Sequence, residues 1–114
     1  MAVRIIVCGG RKYSDGDAVY KLLDYIHATR VIAEIIHGGA PGADSLAGAW
    51  AKSRNVKCTV EPADWKTYGD AAGPIRNKKM LEHKPDGVVA FPGGRGTYSM
   101  RKLAKESGIP VYWL

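Results

Sequence analysis

Short apolar runs alternate along this chain with segments whose apolar residues recur every three or four positions. "VRIIVCG" (3–9) is continuous and rich in β-branched residues, the pattern of a strand buried on both faces. Ser14 is expected to start a helix, with Asp17 as its capping-box partner and Val19, Leu22, Leu23 and Ile26 on its inner face. "AEIIHGG" (33–39) reads as a second strand. Asp44 or Ser45 caps a second helix, which carries Leu46, Ala47 and Trp50 inward. "VKCTVEPA" (56–63) is a third strand, and "GPIRNKKMLEH" (73–83) a short helix with Pro74 at its first position. "GVVAFPG" (87–93) is a fourth strand. Thr97 caps a last helix, with Met100, Leu103 and Ala104 inward, closed by Gly108 and Pro110. "PVYWL" completes the set as a fifth strand.

Strands alternating with helices predict one α/β Rossmann-like domain over residues 1–114, a five-stranded parallel sheet with helices on both faces. In such folds the ligand lies beyond the carboxyl ends of the strands, where strand order reverses. The loops at that edge are the unusual part of the sequence: "CGGRKYSD", "HGGAPGADS", "EPADWKTYGDAAGPIRN" and "FPGGRGTYS". Glycine costs conformational entropy, so its crowding needs a reason. Turn geometry is one. The other is an anion site, in which exposed amides at a helix N-terminus receive a phosphate and side chains would block its approach.

The candidate ligand-binding positions are therefore Gly9, Gly10 and Arg11 after the first strand, and Gly38, Gly39, Ala40, Gly42, Ala43 and Asp44 after the second. Pro92, Gly93, Gly94, Arg95, Gly96 and Thr97 follow the fourth strand, and Arg76 with Asn77 sits in the first turn of the helix between. Arg95 and Arg11 can fork onto phosphate, and the helix N-terminus reinforces Arg76 and Asn77. Asp44 reads as a helix cap and also as an acceptor for a ribose hydroxyl. The rings of Trp65 and Tyr68 either stack a base or pack their loop against the sheet. Neither glycine loop has a Walker lysine, and no G-x-G-x-x-G follows the first strand.

Composition narrows the picture further. The formal charge of +6 suggests an anionic partner without separating nucleotide from nucleic acid. No apolar run is long enough to span a membrane. Cys8 and Cys58, without C-x-x-C spacing or a secretory leader, point to a reducing, cytoplasmic setting with no metal site. With the second strand between the first and third, as in the usual order, they lie about two strand spacings apart, too far for a disulfide. His37 reads as a hydrogen-bonded structural residue.

The ordered set "CGGR", "HGGAPGADSLA", "ADW", "YGDAAGPIRNKKM" and "FPGGRGT" resembles the SLOG superfamily, the Rossmann-like group that includes the Smf/DprA and LOG proteins. It is most similar to the small stand-alone branch called YspA-like, or cpYpsA-related. The resemblance implies a nucleotide or nucleotide-derived ligand held by the glycine loops, with no cofactor required. For LOG proteins it implies hydrolysis of the N-glycosidic bond of a nucleoside monophosphate. Arg76 and Met80 match the upstream segment of the LOG pattern, which makes Arg76 the best catalytic candidate. The pattern P-G-G-x-G-T-x-x-E breaks at Met100, where its glutamate would stand. Without that carboxylate, Asp44 or Asp64 would have to steady the oxocarbenium character of a glycosidic transition state. Three readings follow: a sensor or sequestering module for a nucleotide, a LOG-like phosphoribohydrolase, and a single-stranded nucleic-acid binder, which Smf/DprA relatives suggest. Against the last, the aromatic residues are not interleaved with the lysines of "RNKKMLEHK" and "RKLAKE" as a stacking track requires. A homo-oligomer, dimer or tetramer, is expected to form through "PVYWL" and Trp50.

Overall fold

The computed structural model describes residues 2–113, with the backbone alone for Trp113. Strands β1 (Val3–Cys8), β2 (Ile32–His37), β3 (Lys57–Val60), β4 (Gly87–Ala90) and β5 (Val111–Trp113) alternate with helices α1 (Gly16–Thr29), α2 (Ala43–Ser53), α3 (Trp65–Tyr68), α4 (Ala72–Glu82) and α5 (Arg95–Glu106). All five strands pair in parallel, in the order β3-β2-β1-β4-β5. The chain builds outward from β1 to β3, then crosses back to add β4 on the other side. Strand order thus reverses between β1 and β4, and the loops leaving those two strands diverge there.

The period-2 alternation of side chains sorts the apolar runs into two cores. Val3, Ile5 and Val7 of β1 face α1 and α2, joining Val19, Leu23, Ala47 and Trp50. Ile6 and Cys8 face the other way, against Met80 of α4 and Met100 and Ala104 of α5. Trp50 is fully buried, and its indole N–H donates to Asp24 Oδ1 at 2.8 Å. It is therefore a core residue and cannot serve the interface expected of it. Tyr112 is half exposed, and the side chain of Trp113 lies outside the described residues, as does Leu114. Both cysteines are free, Cys8 buried and Cys58 exposed, with β2 between their strands.

Several element ends differ from the expectation. Asp15 rather than Ser14 caps α1, its carboxylate accepting from Ala18 N, an interaction worth about 1 kcal/mol. Glycines cap both helices that open at the sheet edge, Gly42 for α2 and Gly94 for α5, so neither Asp44, Ser45 nor Thr97 is a cap. Each helix begins early enough to draw these residues into its first turn. The stretch read as loop before α4 contains α3 and a single 3-10 turn, Gly69–Ala71. Consequently α4 opens at Ala72 and Pro74 stands third in it, where its missing N–H still costs no hydrogen bond. Strands β1, β2, β3 and β4 end at Cys8, His37, Val60 and Ala90, before the glycines and prolines that follow them.

Candidate functional site

At the carboxyl edge the loops after β1, β2 and β4 stack backbone on backbone. Gly10 N donates to Pro92 O at 2.8 Å, and Ala43 N donates to Gly10 O at 3.2 Å. Two glycines are demanded by that stacking. Gly42 has φ +81°, and a Cβ there would lie 2.2 Å from Gly10 O. A Cβ on Gly93 would meet Thr97 Oγ1 at 2.3 Å and Gly10 N at 2.6 Å. Two others are demanded by nothing of the kind. Neither Gly94 nor Gly96 has a positive φ, and a Cβ on either would find no atom within 4 Å. Both border a cavity of about 370 Å³.

That cavity gathers residues from every loop at the edge. Gly9, Arg11 and Lys12 come from the loop after β1, Ala40 from the loop after β2, and Asp44 from the first turn of α2. Gly73, Arg76, Asn77 and Met80 come from α4, and Trp65 from α3. Gly94, Arg95, Gly96 and Thr97 form the opening turn of α5, and Cys8 closes the floor. Of the positions expected at the site, Gly10, Gly38, Gly39, Gly42 and Ala43 lie behind this wall and shape the loops, while Pro92 and Gly93 border an adjoining cavity. Trp65 is on the wall and half exposed; Tyr68, exposed to a similar degree, is not on it. Cys8, Lys12, Gly73 and Met80 are not among the positions expected to bind, although Cys8 and Lys12 adjoin the "GGR" signal in sequence.

Two consecutive residues of α4 tie the glycine loops together. Arg76 Nη1 donates to Gly38 O at 3.2 Å, and Asn77 Nδ2 donates to Gly96 O at 3.2 Å. Arg76 Nε donates to Asn77 Oδ1 at 3.0 Å, coupling the two ties. A Cβ on Gly38 would lie 2.0 Å from Arg76 Nη1, so that glycine makes room for the guanidinium. Burial lowers the Arg76 pKa, with Asp44 opposing.

Asp44 turns back from the first turn of α2 and folds the preceding loop around itself. Its Oδ2 accepts from Gly38 N at 3.0 Å and Ala40 N at 3.3 Å. Burial pushes its pKa above the ordinary carboxylate value, opposed by those amides and by His37 and Arg76. Burial likewise raises the Cys8 thiol to about 12, so it is protonated at neutral pH and is no nucleophile.

His37, buried at the end of β2, accepts from Gly39 N through Nδ1 at 2.9 Å. That role requires neutral imidazole, and burial lowers the His37 pKa from its ordinary 6.5, with Asp44 opposing. A depressed folded-state pKa contributes stability that is complete above 6.5 and declines as pH falls through the folded value. Asp44 acts with opposite sign, favouring the folded state as pH falls. The histidine contribution is therefore read as a difference between proteins. Urea midpoints of the native chain are expected to fall further between pH 7 and pH 5 than those of His37→Asn, whose amide oxygen accepts at both. Parallel pH curves for the two would show that the Gly39 hydrogen bond does not carry this dependence.

The opening turn of α5 has no side-chain cap. Its first internal hydrogen bond runs from Tyr98 N to Gly94 O, so the amides of Arg95, Gly96 and Thr97 have no acceptor within the helix. Thr97 is 7% exposed, yet its hydroxyl makes no hydrogen bond to any described residue. Arg11, Lys12, Arg76 and Arg95 stand around the cavity against one carboxylate, Asp44. Among the described residues no cluster of His, Cys, Asp and Glu could hold a metal, and no helix is long and apolar enough to cross a membrane. The site is thus a basic recess bordered by the start of α5, whose first amides have no acceptor among the described residues.

Comparison with known proteins identifies the family of the chain. The gene 61 protein of Mycobacterium phage D29 is 36% identical over 116 aligned positions, 95% of this chain and 93% of its own length. Among solved structures, the phosphoribosylglycinamide formyltransferase (purN) of Coxiella burnetii superposes with a TM-score of 0.49 at 11% identity. The superposition covers 83% of this chain and 43% of that one. The family model described as YspA, cpYpsA-related SLOG matches residues 3–68, from β1 through α3. With that match and a relative aligned along nearly its whole length, the chain belongs to the YspA, cpYpsA-related SLOG family.

Proposed function

We propose that this protein binds a nucleotide or a nucleotide-derived phosphorylated ligand, as a sensor or sequestering module. The phosphate is received by the free amides of Arg95, Gly96 and Thr97 and by the Thr97 hydroxyl. Arg76, Arg11 and Arg95 supply the countercharge, Asp44 the acceptor for a sugar hydroxyl, and Trp65 a face for the base. The observation that carries this reading is the pair Gly94 and Gly96. No packing contact excludes a side chain at either, so the absent side chains are explained by what must approach the helix end.

Binding without turnover is favoured over LOG-like hydrolysis by the carboxylates. Met100, where the family glutamate would stand, is fully buried in the core against the sheet. Asp64 caps α3 through Thr67 N and is not on the cavity wall. Asp44 is the one carboxylate there, and one of its oxygens is engaged by two amides. No second carboxylate among the described residues lines the cavity to activate water beside it.

The test is calorimetric titration with a panel of nucleoside monophosphates, with free base assayed in the same samples. At least one member should bind with no base released, and Arg76→Ala should weaken it by about tenfold to a hundredfold. Binding by none, or affinity indifferent to Arg76, would refute the proposal. Base release that vanishes in Arg76→Ala would instead establish the hydrolase.

A further inference from the structure

The recess at the start of α5 does not end there. It shares Gly94 and Thr97 with a neighbouring cavity of about 310 Å³. That one shares Tyr98 and Arg101 with a third, of about 670 Å³, between α5 and the turn Gly108–Val111. The three form a groove running the length of α5, which at 12 residues is about 18 Å. Its α5 wall carries Arg95, Tyr98, Lys102 and Lys105, spaced three, four and three apart and so on one helical face. Arg95, Lys102 and Lys105 are exposed and form no ion pair with any described residue, and no carboxylate side chain among the described residues lines the second or third cavity. Tyr98 is 66% exposed at the junction of the second and third cavities. A large ring held that far into water, with cations one turn to either side, is the arrangement that stacks a base while its backbone is neutralised. The interleaving judged absent from the sequence is thus present in three dimensions.

We infer that the ligand class extends to single-stranded nucleic acid. A terminal phosphate occupies the recess, the strand follows α5, and a base stacks on Tyr98. This rests on the reading of the recess as a phosphate site; the groove adds the strand. An acidic peptide would satisfy the cations but leave both the exposed ring and the amide-lined end without a purpose.

Fluorescence anisotropy of labelled oligo-dT of two, four and eight nucleotides tests the inference. Each length is prepared with a 5′-phosphate, a 3′-phosphate or neither, and a glutamate octapeptide serves as competitor. Affinity should rise at least tenfold from dinucleotide to octamer, and one of the two phosphorylated ends should bind better than the bare strand. Log affinity should fall with log salt at a slope of about −2 for three backbone contacts. The double variant Lys102→Glu/Lys105→Glu should weaken the octamer at least tenfold and leave inorganic phosphate affinity unchanged, and Tyr98→Ala should cost about tenfold. Affinity independent of length, equal for bare and phosphorylated strands, or unmoved by the double variant overturns the inference. So does a glutamate peptide that competes as well as DNA. Phosphate binding that survives alongside any of these leaves the mononucleotide reading standing.

Discussion

Gly42→Ala is expected to destabilise the protein by about 3 kcal/mol, the largest effect of any single-methyl change at the site. Two costs add. Gly42 has φ +81° and ψ −128°, which only glycine adopts without strain. The new methyl would also lie 2.2 Å from Gly10 O and 2.7 Å from the Arg11 carbonyl carbon, backbone atoms that cannot swing aside as a side-chain tip can. Relief requires the loops after β1 and β2 to separate, which breaks the Ala43 N to Gly10 O hydrogen bond. Urea denaturation measures the loss. A shift in stability below about 0.5 kcal/mol would mean that the two loops are not locked together. Gly96→Ala is the control, since nothing lies within 4 Å of its added methyl. Near a helix start it should be neutral or slightly stabilising.

The second large effect has opposite signs in stability and in function. Gly94→Asp places a carboxylate at the N-cap of α5, where aspartate is among the preferred residues and glycine is weaker by a few tenths of a kcal/mol. The fold should therefore hold or gain slightly. The same carboxylate would accept from the amides of Gly96 or Thr97, the donors assigned to the ligand's phosphate, and would repel what remains of its charge. Phosphate and nucleotide affinity should fall by a hundredfold or more, equivalent to about 2.7 kcal/mol. Unchanged affinity in a stably folded Gly94→Asp protein would remove the α5 terminus from the site. Thermal denaturation and calorimetry on the same sample separate the two responses.

The difference between these glycines shows where sequence reasoning ran out. The apolar runs named the strands because burial on both faces leaves a continuous β-branched signature. Gly38 through Asp44 and Gly93 through Thr97 stood out by their crowding alone. What crowding could not say is which glycines serve packing, because Gly42 collides with Gly10 only after β1 and β2 are laid side by side. The role of Asp44 was hidden for a similar reason. Its position next to a helix start suggests a cap, but the helix starts two residues early at a glycine and frees the carboxylate to organise the loop behind it. The helix at Trp65–Tyr68 was unreadable because four residues have no apolar period, although Asp64 already carried its capping signal. Arg76 and Asn77 were expected at the site as anion ligands. Their neighbouring positions gave no hint that each would reach a different glycine loop.

The account rests on one convergence: Ala40 and Asp44, after β2, and the turn Gly94–Thr97 border a single phosphorylated ligand. Titration of inorganic phosphate and of a nucleoside monophosphate into ¹⁵N-labelled protein, followed residue by residue, tests it most directly. The amides of Gly94, Arg95, Gly96 and Thr97 should shift together with Ala40 and Arg76 and saturate with one dissociation constant, and Gly94→Asp should abolish the response. Shifts confined to one loop, scattered among surface lysines, or persisting in Gly94→Asp would contradict it.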